Sequence, residues 1–210
     1  MSYKETTIAT YNKLAKEYAT RFKEHAASYV QKHLVVFMEH LPRGARILEL
    51  GCGTGIHATI LRVAGFDIES TDLSEEMVII CRANGLNATV EDFEEMDRSP
   101  ESYDAIWAYT SLLHTTREKL PGILRNIHSW LKPSGLFGLA MKEGTDEGFK
   151  VSDKDGVSKR WYTYYTNDKL VELLEAAGFE ILEAASEHNN NETFLNYLAR
   201  KTSNGPNLDS

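Results

Sequence analysis

The densest chemistry in the chain lies in nine consecutive residues, Ile47-Leu48-Glu49-Leu50-Gly51-Cys52-Gly53-Thr54-Gly55. A short apolar run ends in glycines at alternate positions. Glycine tolerates positive φ and has no Cβ, so the backbone can bend tightly and a ligand can come close to it. A helix starting behind the bend would offer free N–H groups to a carboxylate or phosphate. Asp72 follows 17 residues after Gly55, at the end of the next predicted strand. A carboxylate there can accept both hydroxyls of a ribose. Asp92, beside Phe93, closes a third run and could accept from an exocyclic amine while apolar neighbours sandwich the ring. Together these residues describe a site for an adenosine with an anionic or zwitterionic tail. Glu49 lies inside a buried run, where a charge needs a partner. That partner is either an amino group on the ligand or the amides of the loop.

Further candidates lie outside this segment. Tyr11 and Tyr18 fall on one helical face, two turns apart, beside Leu14 and Phe22. His114 follows Ser111-Leu112-Leu113, and a histidine can take a proton near neutral pH. Packing within the helices is the alternative role for the tyrosines and for His114, and it is the expected role of His57. Arg160, Trp161, Tyr162, Tyr164 and Tyr165 could wall a pocket with Lys142 and Glu143, although their alternation also fits a half-buried strand. No His/Cys/acid cluster has metal-ligand spacing.

These groups need elements to hold them. The three- and four-residue spacing of Tyr11, Leu14, Ala15, Tyr18, Ala19 and Phe22 predicts one helix, and that of Val30, Leu34, Phe37, Met38 and Leu41 a second. Strands are predicted over residues 45–50, 66–71, 88–91, 103–108 and 136–141, with helices over 56–63, 74–83 and 120–131 between them. Residues 142–159 read as a loop and 160–165 as a β-prone run. A helix over 167–177 precedes a closing strand pair, 180–185 and 193–199. Alternating strands and helices imply right-handed crossovers and a mostly parallel sheet. One domain is expected over residues 1–201, with 1–41 as a helical cap and 202–210 as a loose tail.

A dinucleotide-binding turn needs Gly-x-Gly-x-x-Gly, and here Ile56 holds the sixth position; the P-loop pattern is also absent. The nine-residue run instead resembles motif I of class I S-adenosylmethionine-dependent methyltransferases of the small-molecule type. The resemblance continues through Thr71-Asp72-Leu73-Ser74, Glu91-Asp92-Phe93, Tyr103-Asp104-Ala105-Ile106-Trp107-Ala108 and Leu131-Lys132-Pro133-Ser134-Gly135-Leu136. It covers about residues 8–200. It implies a Rossmann-like α/β fold with a seven-stranded sheet in the order 3-2-1-4-5-7-6, strand 7 antiparallel, helices on both faces and an N-terminal helical lid. It also implies S-adenosyl-L-methionine as cofactor and S-adenosyl-L-homocysteine as product. Gly51 and Gly53 would pass under the methionine part and Asp72 would hold the ribose. Leu73 and Met77 would line the adenine, with Asp92 and Phe93 at its edge. Ala108 and Tyr109 would lie near the sulfonium. Tyr11-x-x-x-Ala15-x-x-Tyr18 is similar to the lid segment in which one tyrosine reaches cofactor or acceptor. Tyr18, Tyr109 and His114 become the candidate bases, needed only if the acceptor is protonated when it attacks.

Composition narrows the partners. The 210 residues carry 23 Lys+Arg against 31 Asp+Glu, a net charge of −8. Nothing in that balance offsets phosphate repulsion, so neither nucleic acid nor an anionic membrane is expected as partner. Cys52 and Cys81 cannot form a disulfide framework, which suits a reduced, cytoplasmic setting. No apolar run approaches the ~20 residues of a membrane span. The expected protein is a monomer or homodimer acting on a small-molecule methyl acceptor. A non-catalytic cofactor-binding module, or a methyltransferase acting on RNA or protein, remains the alternative.

Overall fold

The apolar runs flanked by turn residues become strands, and the three- and four-residue stripes become helices. The computed structural model describes residues 2–24, 32–151, 157–189, 192–203 and 205–206, without the side chains of 22–24 and 189. The helices are α1 (Tyr3–Glu24), α2 (Lys32–Glu39), α3 (Ile56–Val63), α4 (Glu75–Ala83), α5 (Leu120–Trp130) and α6 (Asn167–Ala176). The strands are β1 (Arg46–Leu50), β2 (Asp67–Asp72), β3 (Ala88–Val90), β4 (Tyr103–Tyr109), β5 (Leu131–Lys142), β6 (Glu147–Val151), β7 (Lys159–Thr163), β8 (Phe179–Asn189) and β9 (Glu192–Lys201).

Seven strands form one sheet in the order β3-β2-β1-β4-β5-β9-β8. β1 pairs in parallel with both β2 and β4, whereas β9 runs antiparallel to β5 and to β8. This is the expected order, with β8 and β9 as its strands 6 and 7. From β1 the chain steps one way to β2 and β3 and then the other way to β4 and β5, so the crossovers at β1 lie on opposite faces and a crevice opens outside the carboxyl ends of these strands. Side-chain alternation sends Ile47, Ala105 and Trp107 to the face covered by α2, α3 and α4. It sends Leu48, Leu50, Ile106 and Ala108 to the face covered by α5 and α6.

Local chemistry sets the helix starts. Ser2 and Glu5 form a reciprocal capping box at α1, with Ser2 N–H donating to Glu5 Oε2 at 2.8 Å and Glu5 N–H to Ser2 Oγ at 3.2 Å. Ser74 caps α4, accepting from Met77 N–H at 3.3 Å. α1 packs on β7 and α4, burying Ala15 completely.

Three sequence expectations need correction. The segment expected as a loop over 142–159 contains β6, paired antiparallel with β7 as a separate ribbon. β6 is mostly exposed and has little apolar content, so only its partner strand makes it a strand. β5 begins at Leu131, because Leu131 pairs with Tyr103 before the register shifts. Ser134, at φ 60°, bends the chain within that shift. β8 extends to Asn189, held along its length by β9. Val30 lies outside the described residues. Among the described residues no helix is long and apolar enough to cross a membrane.

Candidate active site

A cavity of about 990 Å³ occupies the crevice, roofed by α1 and walled on one side by β7. It lies at the upper end of the ~300–1,000 Å³ of small-ligand pockets. A depression on α6 is bounded by that helix alone and brings no second element's groups together.

The floor is the glycine turn. Gly51 has φ 74°, and a Cβ there would meet Ser111 Cβ at 2.3 Å, so the loop after β4 can approach only glycine. Gly53 has φ 53° and a Cβ would meet nothing within 4 Å, so its backbone borders the open cavity. Gly53 N–H donates to Asp72 Oδ2 at 2.8 Å, and Ser74 N–H donates to Oδ1 at 2.9 Å. Both oxygens are therefore fixed, and each keeps a second lone pair for a ligand hydroxyl. Burial pushes the Asp72 carboxyl up, and the backbone amides pull it back. Glu49 is 2% exposed and accepts one hydrogen bond, from Ser70 Oγ at 3.0 Å. Burial pushes its carboxyl up to about 8, the Ser70 hydroxyl opposing and the Asp72 charge adding. No loop amide is bonded to its side chain among the described residues. The hydroxyls of Thr54 and Ser111 line the same end, buried and without partners among the described residues. A zwitterionic tail fits this donor set: a counter-charge for an ammonium, orphaned hydroxyls for a carboxylate, and no side chain capping α3.

Leu73, Met77 and Phe93 line the next part of the cavity. Asp92 faces it too, but Oδ2 is ion-paired with Lys4 and Oδ1 accepts from Glu94 N–H at 2.9 Å. Lys4 also reaches Glu94 at 2.7 Å. Burial alone would raise the Glu94 carboxyl; hydrogen bonds from Lys119, Lys4, Thr115 and Tyr3 outweigh it and hold the group at about 2. Asn12 Oδ1 accepts from Ser74 Oγ at 2.6 Å, tying the middle of α1 to α4.

The opposite end is aromatic and cationic. His114 Nδ1 bonds the Trp161 carbonyl at 2.6 Å, which makes Nδ1 the protonated nitrogen of the neutral ring. Nε2 then accepts from Tyr11 Oη at 2.7 Å. Burial, with the charges of Arg160 and Lys142, lowers His114 to about 3. Burial likewise pushes Tyr11 up to about 12, against the pull of Arg160. Arg160 Nη1 donates to Tyr11 Oη at 3.3 Å and to Tyr18 Oη at 3.1 Å. Tyr109 stacks on Trp107 with ring centroids 5.2 Å apart, and Trp107 Nε1–H donates to His57 Nδ1 at 3.1 Å. Burial lowers His57 to about 4, so it too is a neutral ring, facing the cavity.

The crevice thus gathers Tyr11, Tyr18, Glu49, Gly51, Gly53, Asp72, Leu73, Met77, Asp92, Phe93, Tyr109 and His114. Ala108 departs from expectation: the pleat of β4 turns it into the α5 side of the core, fully buried, and it does not line the cavity. Of the aromatic run, Arg160, Tyr162 and Tyr164 face inward, whereas Trp161 packs on Phe149 and Tyr165 enters the core. Sequence reasoning missed Lys4, Thr54, Ser111 and Asn12. Thr54 lies within the glycine motif and was open to notice. Lys4 meets a carboxylate 88 positions away, which no local pattern announces.

Residues 22–184 match the family described as a methyltransferase domain. The chain is 28% identical over 172 residues to the sterol 24-C-methyltransferase of Candida albicans, covering 71% of this chain and 44% of that protein. It is 29% identical over 135 residues to the ubiquinone biosynthesis O-methyltransferase of Xanthomonas campestris pv. campestris, covering 61% and 55%. The chain thus spans about half the length of the curated relatives it matches. The DhpI–SAH complex superposes with TM-score 0.75 over 95% of this chain and 97% of that one, at 21% identity, a likeness of fold. The family match takes in the glycine turn and the sheet from β1 to β5 as well as β7, and the chain belongs to the methyltransferase domain family.

Proposed function

We propose that the chain transfers a methyl group from S-adenosylmethionine to a small-molecule acceptor within this crevice and releases S-adenosylhomocysteine. The observation that carries this reading is the carboxylate of Asp72, fixed by Gly53 and Ser74 amides at the carboxyl end of β2 with spare lone pairs toward the cavity. It suits a ribose diol. Glu49 is the counter-charge for the ammonium of the tail, and Leu73, Met77 and Phe93 enclose the adenine. Asp92 serves the adenine edge by accepting from the adenine amine at Oδ2 beside Lys4.

The bound sulfonium makes its methyl group electrophilic, so the cofactor supplies the reactivity. The chain's work is to hold the acceptor in line at ~3 Å and to exclude water. α1 does the second, forming the roof as part of a lid over residues 1–41 of a single domain spanning 1–201. Tyr109 and Tyr18 border the acceptor half. His114 does not meet an acceptor directly, because its Nε2 lone pair is taken by Tyr11. At about 3 it is also a weak base. Tyr11 is therefore the group presented to the acceptor, and His114 stands behind it as its hydrogen-bond acceptor. A protein of this kind, without nucleic-acid or membrane partners, works in the cytoplasm as a monomer or homodimer.

The test is direct. S-adenosylhomocysteine should raise the melting temperature and bind with a calorimetric stoichiometry near one, while NAD leaves both unchanged. A labelled-methyl screen over small molecules, RNA and protein then separates acceptor classes. Absence of cofactor binding would end this reading, and binding without turnover on any acceptor favours the non-catalytic alternative.

A further inference from the structure

The acceptor half holds a cation whose counter-charge is absent from its neighbours. Arg160 has no carboxylate within ion-pair distance among the described residues, whereas neighbouring Lys142 pairs with Glu192 at 2.6 Å. A guanidinium stays charged, and a charge withdrawn from water calls for a partner. Its Nη1 is spent on the phenols of Tyr11 and Tyr18. Its Cζ lies 5.5 Å from the ring centroid of Tyr11 and 5.3 Å from that of Tyr162. Those contacts fix the plane of the group. They leave the Nε–Nη2 edge without a partner among the described residues, and that edge matches a carboxylate in a two-bond fork. His114 contributes no charge as a neutral ring. A sulfonium entering the same cavity would add a further positive charge. Tyr11 and Tyr162 supply ring faces beside the fork, and Tyr18 its hydroxyl.

Resting on the methyltransferase reading above, we propose that the methyl acceptor is a carboxylate-bearing ring compound, its carboxylate gripped by the Nε–Nη2 edge of Arg160 and its ring set among these tyrosines. The hydroxyls of Thr54 and Ser111, beside the glycine turn, remain for the carboxylate of the cofactor tail. The two anions are thereby kept at opposite ends of one cavity.

The experiment is a ligand-observed NMR titration of the full chain saturated with S-adenosylhomocysteine. Benzoate, 4-hydroxybenzoate and anthranilate are each compared with the corresponding primary amide. The acids should bind at least tenfold more tightly than the amides. Arg160→Gln should erase that preference, and Arg160→Lys should keep part of it. Both variants should bind S-adenosylhomocysteine within threefold of the parent and melt cooperatively. Equal affinity of acids and amides, no binding of any acid, or a preference surviving in Arg160→Gln overturns the proposal. So does a tenfold loss of S-adenosylhomocysteine affinity in Arg160→Gln, which would assign the guanidinium to the cofactor tail. If the parent does not bind S-adenosylhomocysteine, the methyltransferase reading fails by itself. The acid and amide titrations are then run on the free chain and judge Arg160 by the same criterion.

Discussion

Replacing Glu49 by glutamine tests the cofactor end through protons. Burial moves the Glu49 carboxyl from 4.5 to about 8. At ~1.36 kcal/mol per pH unit this sets about 5 kcal/mol against the ionised form. At pH 7 a group titrating at about 8 keeps its proton in ~0.9 of the free molecules. An ammonium at ~4 Å returns about 4 kcal/mol at an effective dielectric of ~20, enough to bring the carboxyl to ~5 and expel the proton. Calorimetry of S-adenosylhomocysteine binding in buffers of different ionisation enthalpy should therefore report release of roughly 0.9 proton at pH 7. E49Q should release essentially none. The affinity lost in E49Q should grow from about tenfold at pH 6 to about a hundredfold at pH 7, as the parent spends less on deprotonation. Folding stability follows the same linkage. Between 4.5 and about 8 the folded chain holds a proton that the unfolded chain has lost, so this residue lowers stability as pH rises through that window. E49Q should remove that slope. No proton release in the parent, or equal release in both proteins, would refute the reasoning.

Three further outcomes follow from geometry. Gly51→Ala forces a methyl to 2.3 Å from Ser111 Cβ at φ 74°, whereas Gly53→Ala meets nothing within 4 Å. A left-handed alanine costs ~1–2 kcal/mol, so Gly53→Ala should lower the melting temperature by only a few degrees yet weaken S-adenosylhomocysteine more than tenfold; Gly51→Ala should melt far lower, and equal melting would contradict this. Asp72→Ala should reduce cofactor affinity at least tenfold by calorimetry while circular dichroism shows the fold intact; unchanged affinity would remove Asp72 from the ribose. Glu94, held at about 2, contributes stability above pH 4.5 that is lost as pH falls through 2. Glu94→Gln should therefore melt lower at pH 7 and converge with the parent near pH 2, and parallel melting curves across that range would be the contrary result.

The central sheet was legible because short β-prone runs bounded by turn residues alternate with helical stripes, and the glycine turn with Asp72 and Asp92 marks three consecutive strand ends. What escaped depends on contacts between distant segments. β6 is a strand only because β7 lies beside it, and its Glu-Gly-Phe-Lys-Val sequence has no apolar alternation of its own. The family resemblance puts both Ala108 and Tyr109 at the cavity; the pleat of β4 sends Tyr109 there and turns Ala108 to the core. His114 was found by type and place, but its protonation is set by the Trp161 carbonyl, 47 positions away, and its screening by Tyr11, 103 positions away.

The cofactor half and the acceptor half are joined by α1. The glycine turn, Asp72, Asp92, His114 and Arg160 all fall within the family match, whereas most of α1 precedes residue 22. α1 is one unbroken helix of 22 residues, so its contacts move as those of a rod ~33 Å long. Lys4 grips Asp92 at the nucleotide end, Asn12 holds Ser74 in the middle, and Tyr11 and Tyr18 meet Arg160 at the acceptor end. A rod cannot yield at one of these points while staying seated at the others without tilting. A tilt of α1 that draws its backbone away from Asp92 therefore also shifts the phenols that orient Arg160, whereas a change of rotamer at Lys4, which also pairs with Glu94 at 2.7 Å, leaves the acceptor wall in place.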